Sequence, residues 1–152
     1  MKASNFDVLL LPGGFGVAKN LSTFGFKGQD MVVIPELEKV LKDFHKEKKI
    51  IGLACIAPII AAKVFGTSSG GPGVKITLGM KGEHWPYNGS IDVAEKFGNT
   101  LKDTMVEGIC EDKENKIYST PAYMKVNVRP HEVYEGIDKM IKKISKSFKT
   151  KN

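Results

Sequence analysis

KIIGLACIAPIIAAKVF, residues 49–65, carries a change of pattern in its middle. From Ile50 to Ala54 the residues are apolar or small without alternation. That suits a strand covered on both faces, the habit of parallel sheets. From Ile56 to Phe65 the run stays apolar but contains Pro58, which a first helical turn tolerates. Strand, sharp turn and short helix therefore follow one another, with Cys55 at the turn. A residue there is pushed above the sheet edge, as in a nucleophile elbow, and helix N-terminal amides point at its side chain. Such amides favour thiolate over thiol and are expected to lower the pKa from about 8.5. An elbow asks for small neighbours: Ala57 is small, Leu53 is not. On this stretch alone a structural cysteine filling the core remains an equal explanation.

FDVLLLP, residues 6–12, is a second continuous apolar run, ended by Pro-Gly-Gly, and reads as another strand buried on both faces. The PGGFG that follows reads as a loop at the same carboxyl edge of the sheet, where open α/β folds bind ligands. The amide of Gly14 and the amide of Ile56 are then candidates to face an oxyanion from two sides of Cys55. Gly13, Lys19 and Asn20 are candidates to line the pocket, although capping of a helix by Asn20 or Ser22 explains that stretch equally well. Ile34, Leu37, Val40, Leu41 and Phe44 make a helical stripe with Pro35 in its first turn. VKITLG is a third strand, and SIDVAEKFG a short helix with Ser90 as its N-cap. TMVEGICED and KIYSTP flank the turn DKEN as an antiparallel hairpin. Val133, Ile137, Met140, Ile141, Ile144 and Phe148 recur at helical spacing.

Strand and helix alternate, so the fold is α/β with a mostly parallel sheet. The 152 residues suffice for one domain, 1–152, with no internal repeat or linker. The first strand opens at residue 6 with no helix before it, as though the chain began in the middle of a fold.

Composition narrows the function classes. The net charge of +6 is concentrated in residues 139–152, which hold six lysines and no acid; the rest of the chain has 17 bases and 17 acids. Lysines there suit the negative end of a helix dipole, and no aromatics interleave with them as a base-stacking platform requires. Neither nucleic acid nor a membrane is expected as partner. No run approaches the ~20 apolar residues of a membrane span, and no targeting segment is visible. Cys55 and Cys110 have 54 residues between them, which is neither a disulfide framework nor a zinc spacing. No metal is expected, and GGFG lacks the lysine and hydroxyl of a phosphate loop. His45 is expected in solvent at the end of a lysine-rich helix, and Trp85 as a packing anchor beside His84. His131-Glu132 invites a Cys-His-Glu triad, but falls where the last helix starts.

LLLPGGFGVAKNLSTF (9–24), IGLACIAPIIAAKV (51–64), NKIYSTPAYM (115–124) and HEVYEGIDKMI (131–141) together resemble the ElbB type (enhancing lycopene biosynthesis protein) and its mitochondrial eukaryotic relatives. That group lies in the PfpI/ThiJ superfamily of class I amidotransferase-like proteins. The resemblance implies a flavodoxin-like three-layer sandwich, an elbow cysteine at Cys55, and an oxyanion pocket at Gly14 and Ile56. It also implies a cofactor-free, glyoxalase-like activity on small dicarbonyls rather than a true glutamine amidotransferase, and a homo-oligomer. A mitochondrial location is implied for a eukaryotic source, a cytoplasmic one otherwise. Generic members tend to have histidine after the cysteine; Ile56 stands there in this chain. The SSGGPG loop looks like a small insertion. Relatives begin with a further segment carrying first strands and an acidic residue that touches the sulfur. With no counterpart to that residue, turnover is expected to be weak or absent. FDVLLLP is then expected to present an unpaired apolar edge, fit for self-association or a non-catalytic, redox-sensitive or partner-binding role.

Overall fold

The computed structural model describes residues 1–149; the end of the lysine-rich tail, Lys151 included, lies outside them. In chain order the elements are β1 (Val8–Leu11), α1 (Phe15–Lys19), α2 (Phe24–Lys27), α3 (Pro35–Lys46), β2 (Ile50–Ala54) and α4 (Pro58–Phe65). There follow β3 (Lys75–Ile76), α5 (Gly89–Lys96), β4 (Thr100–Leu101), β5 (Cys110–Asp112), β6 (Ile117–Thr120) and α6 (Pro130–Lys149). The main sheet has the order β1-β2-β6-β5. Its first three strands are parallel, with Leu11 opposite Leu53 and Ala54 opposite Thr120. The hairpin β5–β6 is antiparallel, as its turn residues indicate. Asn115 closes that turn through an N–H donated to Asp112 Oδ1 at 3.0 Å.

Helices cover both faces of β2, which explains why all five of its residues are buried. On one face α3 presents Leu41 and Phe44, both fully buried, and α4 is so apolar that nearly all of it is interior. Burying a side chain such as Leu53 contributes roughly 1.5–3 kcal/mol. On the other face α6 brings Met140 and Ile144 onto Ile50 and Tyr118. Gly52 lies under this helix. A methyl group on it would sit 2.6 Å from Leu10 Cδ2 and 3.0 Å from Ile144 Cδ1, so the absence of a side chain permits the close approach.

Four expectations need correction. FDVLLLP is not buried on both faces: β1 is the sheet edge among the described residues, and Leu10 is 50% exposed. The reason is that α6 sits over β2 and β6, leaving the β1 side of its stripe, Ile137, Ile141 and Phe148, partly in solvent. VKITLG does not extend the main sheet. Instead β3 pairs in parallel with β4, and side chains tie it to the hairpin. The Thr77 N–H donates to Ser119 Oγ at 3.0 Å and the Lys75 N–H to Asp112 Oδ2 at 2.8 Å. Ser90 lies inside α5 and donates its hydroxyl to the Tyr87 carbonyl, while Asn88 holds the cap position. His45 is half-buried, stacked on Phe65 at 4.7 Å between centroids and 2.8 Å from Asn115 Oδ1.

Gly136 fixes the approach of α6 to the sheet end. A Cβ there would meet the Val106 carbonyl oxygen at 2.3 Å and Thr120 Oγ1 at 2.7 Å. Gly136→Ala is therefore expected to destabilise by about 1–3 kcal/mol in urea denaturation. A loss below about 0.5 kcal/mol, the range of neutral surface changes, would show that α6 is free to shift.

Candidate functional site

Because β1, β2 and β6 are parallel and adjacent, the loops that leave their carboxyl ends emerge side by side. They are Pro12-Gly13-Gly14, Cys55-Ile56 and Pro121-Ala122-Tyr123. Cys55 is half-buried and has a φ of 60°, a left-handed conformation uncommon for a residue with a side chain. Such a residue costs of order 1–3 kcal/mol and persists only where its surroundings impose it. Here its N–H donates to the Thr120 carbonyl at 3.0 Å, continuing the β2–β6 ladder one residue past the strand. The Ala57 N–H donates back to the Ala54 carbonyl at 3.1 Å and closes the turn into α4. The elbow anticipated in GLACIAP is thus present, despite the larger Leu53, whose side chain is fully buried beneath the sheet edge.

Gly13 and Gly14 have φ of 98° and 92°, a region that glycine enters without penalty. Gly13 packs on the elbow itself. An added Cβ would lie 2.6 Å from the Ala54 carbonyl oxygen and 2.9 Å from Cys55 Cβ. The amides of Ile56, Gly14 and Tyr123 all face the Cys55 sulfur and favour its charged form. Two of these were singled out in the sequence. Tyr123 was not; its amide turns inward because Ala122, just before it, is also left-handed with φ 49°. The Pro-Ala after the third parallel strand was the only local sign.

The expectation of a lowered thiol pKa is overturned. Burial pushes the Cys55 thiol above its ordinary value, and the three amides only partly offset it. No acid, lysine or imidazole acts on this sulfur among the described residues. His131 is exposed in the first turn of α6, and Glu132 accepts the Arg129 N–H at 2.7 Å, so Glu132 caps the start of that helix. Lys19 and Asn20 are both exposed at the end of α1. The Lys19 ammonium stands over the rings of Phe15 and Phe26, at 5.6 and 5.9 Å, and Asn20 is the C-cap residue through its backbone. Ser22 takes the local capping role: its Oγ donates to the Val17 carbonyl and accepts the Phe24 N–H. Trp85 is buried against Gly79. Among the described residues no group of histidines, cysteines and acids is arranged to hold a metal, and no helix is long and apolar enough to cross a membrane.

The fold that brings these loops together, a mostly parallel sheet between helices, is shared with class I amidotransferase-like proteins. No protein-family model matches the chain. It is 43% identical over 150 residues to the ES1 protein homolog, mitochondrial, of Rattus norvegicus, covering 95% of this chain and 53% of the relative. It is 40% identical over 149 residues to a human protein, glutamine amidotransferase-like class 1 domain-containing protein 3, mitochondrial, covering 95% of this chain and 52% of that one. Among solved structures, an isoprenoid biosynthesis protein with amidotransferase-like domain from Ehrlichia chaffeensis superposes with a TM-score of 0.79 at 30% identity. That match covers 97% of this chain and 62% of the other. Its homologues are thus ES1 proteins and a glutamine amidotransferase-like class 1 domain-containing protein, its structural neighbour carries an amidotransferase-like domain, and its fold is flavodoxin-like. It spans about half the length of the curated relatives it matches.

The raised thiol pKa sets a pH dependence. Thiolate forms only as pH climbs past the ordinary thiol range, so the alkylation rate of Cys55 by iodoacetamide is expected to keep rising above pH ~8.5. Peptide mapping reads it directly; Cys110, fully buried, does not compete. A rate already level at neutral pH would overturn the assignment.

Proposed function

We propose that the chain acts through Cys55 as a cofactor-free, glyoxalase-like thiol protein on small dicarbonyls such as glyoxal and methylglyoxal. The observation that supports this most is the convergence of the Gly14, Ile56 and Tyr123 amides on one half-buried sulfur. Thiolate attack bonds the sulfur to the aldehyde carbon and moves the carbonyl electron pair onto oxygen. The same amides then stand where that oxyanion develops, a role worth about 2.7–4 kcal/mol per donor in other acyl-transfer sites. Protonation of the oxygen gives a hemithioacetal. Moving the carbon-bound hydrogen, as a proton, to the neighbouring carbonyl carbon through an enediol oxidises the first carbon and reduces the second. The product is a hydroxy-acid thioester, and no external oxidant is used. Water then cleaves the carbon–sulfur bond and restores the thiol.

The proton shift needs a base beside the sulfur, and none acts there among the described residues. The first step is therefore favoured over the second, and turnover by this chain is slow. The names of the relatives support a mitochondrial setting if the source is eukaryotic.

A second reading, a non-catalytic member that binds a partner through its sheet edge, is favoured by β1. Its outer edge is unpaired among the described residues, and Phe6, Leu10, Ile137, Ile141 and Phe148 add exposed apolar surface. Two copies related by a two-fold axis would pair β1 with β1 in antiparallel fashion and continue the sheet.

Two measurements separate these readings. With methylglyoxal, the titratable Cys55 thiol is expected to disappear to about one equivalent per chain, while lactate accumulates only slowly. Cys55→Ser should abolish both, and turnover matching a full-length ES1 protein would refute the missing-base argument. In sedimentation equilibrium the chain is expected to self-associate and Leu10→Lys to weaken association at least tenfold, about 1.4 kcal/mol. A strictly monomeric wild type eliminates the edge reading.

A further inference from the structure

The residues that deliver the amides to Cys55 are flanked by exposed aromatic rings. Phe15 follows Gly14 directly and is 68% exposed; Tyr123, whose own amide faces the sulfur, is 54% exposed. Tyr87, 47% exposed, meets Phe15 edge-on with centroids 6.4 Å apart. The Lys19 ammonium lies over both Phe15 and Phe26 and ties those rings together. Large rings in solvent are costly unless something covers them, and a contiguous group of them marks a binding surface. Here Phe15 and Tyr87 meet, and Phe15 adjoins, while Tyr123 carries, a backbone amide that faces the cysteine held at the strained elbow.

Resting on the proposed reading of Cys55, we infer that Phe15, with Tyr87 and Tyr123, forms an aromatic rim selecting carbonyl compounds that carry a flat aryl group over glyoxal and methylglyoxal. A two-carbon or three-carbon dicarbonyl reaches the sulfur and the amides but leaves the rim in water. An aryl substituent on the same reacting carbon skeleton extends outward onto the Phe15 ring. There it buries apolar area and gains offset or edge-to-face ring contact. Phe15 is thus a specificity-determining residue, and Lys19 positions it.

The test compares two reagents with the same reacting carbon, iodoacetamide and iodoacetanilide, which differ by a phenyl ring. In both, the Cys55 sulfur displaces iodide at the methylene carbon and the thiol proton leaves to solvent. The rate ratio, anilide over amide, is measured on the folded chain by peptide mapping and divided by the ratio for a cysteine in an unstructured peptide. A normalised ratio of about ten is expected for the wild type, falling to about one in Phe15→Ala and recovering in Phe15→Tyr. Tyr134→Ala, an exposed ring on α6, is expected to keep the wild-type ratio. A wild-type ratio near one overturns the rim while leaving Cys55 reactivity standing. A ratio that survives Phe15→Ala overturns the assignment to Phe15. Reaction with neither reagent, in a chain whose thiol titrates once unfolded, overturns both the rim and the proposed function.

Discussion

One backbone hydrogen bond, from the Cys55 N–H to the Thr120 carbonyl at 3.0 Å, carries the site. It extends the parallel β2–β6 ladder past the point where the strand ends. The next residue must then turn upward, and φ at Cys55 settles at 60°. The strain is local, but what imposes it is distributed. Thr120 is held by Oγ1 donating to the Gly108 carbonyl, and α6 lies close above it because Gly136 carries no side chain. On the other flank Gly13 presses its backbone against the Ala54 carbonyl. The elbow is set by three strand ends rather than by its own seven residues.

This division explains what the residue string discloses. Apolar runs without alternation mark β1 and β2 because burial is a property of composition. The turn into α4 is legible in Pro58 and the small Ala57, and the hairpin in DKEN. Gly14 and Ile56 are legible as amide donors because both follow strand ends in the chain. Tyr123 is not, since its amide reaches the sulfur only through the β2–β6 register and the left-handed Ala122. Ser90 and His45 are misread for a related reason. A capping serine displaced by two residues and a histidine stacked on Phe65 differ from their expected states only through tertiary neighbours.

The edge strand is a more instructive case. VLLL has the composition of an interior strand, and Leu9 and Leu11 do face the core. Leu10 points to the α6 side, where the helix stripe of Ile137, Ile141 and Phe148 stays partly in solvent. Composition reports the environment for which a strand is suited, whereas the described residues supply only one of its two ladder partners. The mismatch between the two is what gives the self-association reading its physical content.

The thiol appears at first to contradict the chemistry proposed for it, because burial raises its pKa while amides are aimed to lower it. The two effects act on different states. Desolvation penalises the free thiolate, and so limits how often attack begins at neutral pH. The same dryness strengthens each amide's interaction with charge, since the effective dielectric is lower than in water. Once the sulfur is bonded to carbon it is no longer charged, and the negative charge has moved to an oxygen within reach of donors already in place. Burial thus disfavours the resting anion and favours the adduct once formed, which is the balance expected of a site that attacks seldom at neutral pH and holds what it captures. An acid or imidazole at the sulfur would change the second half of that balance without requiring any change in the first.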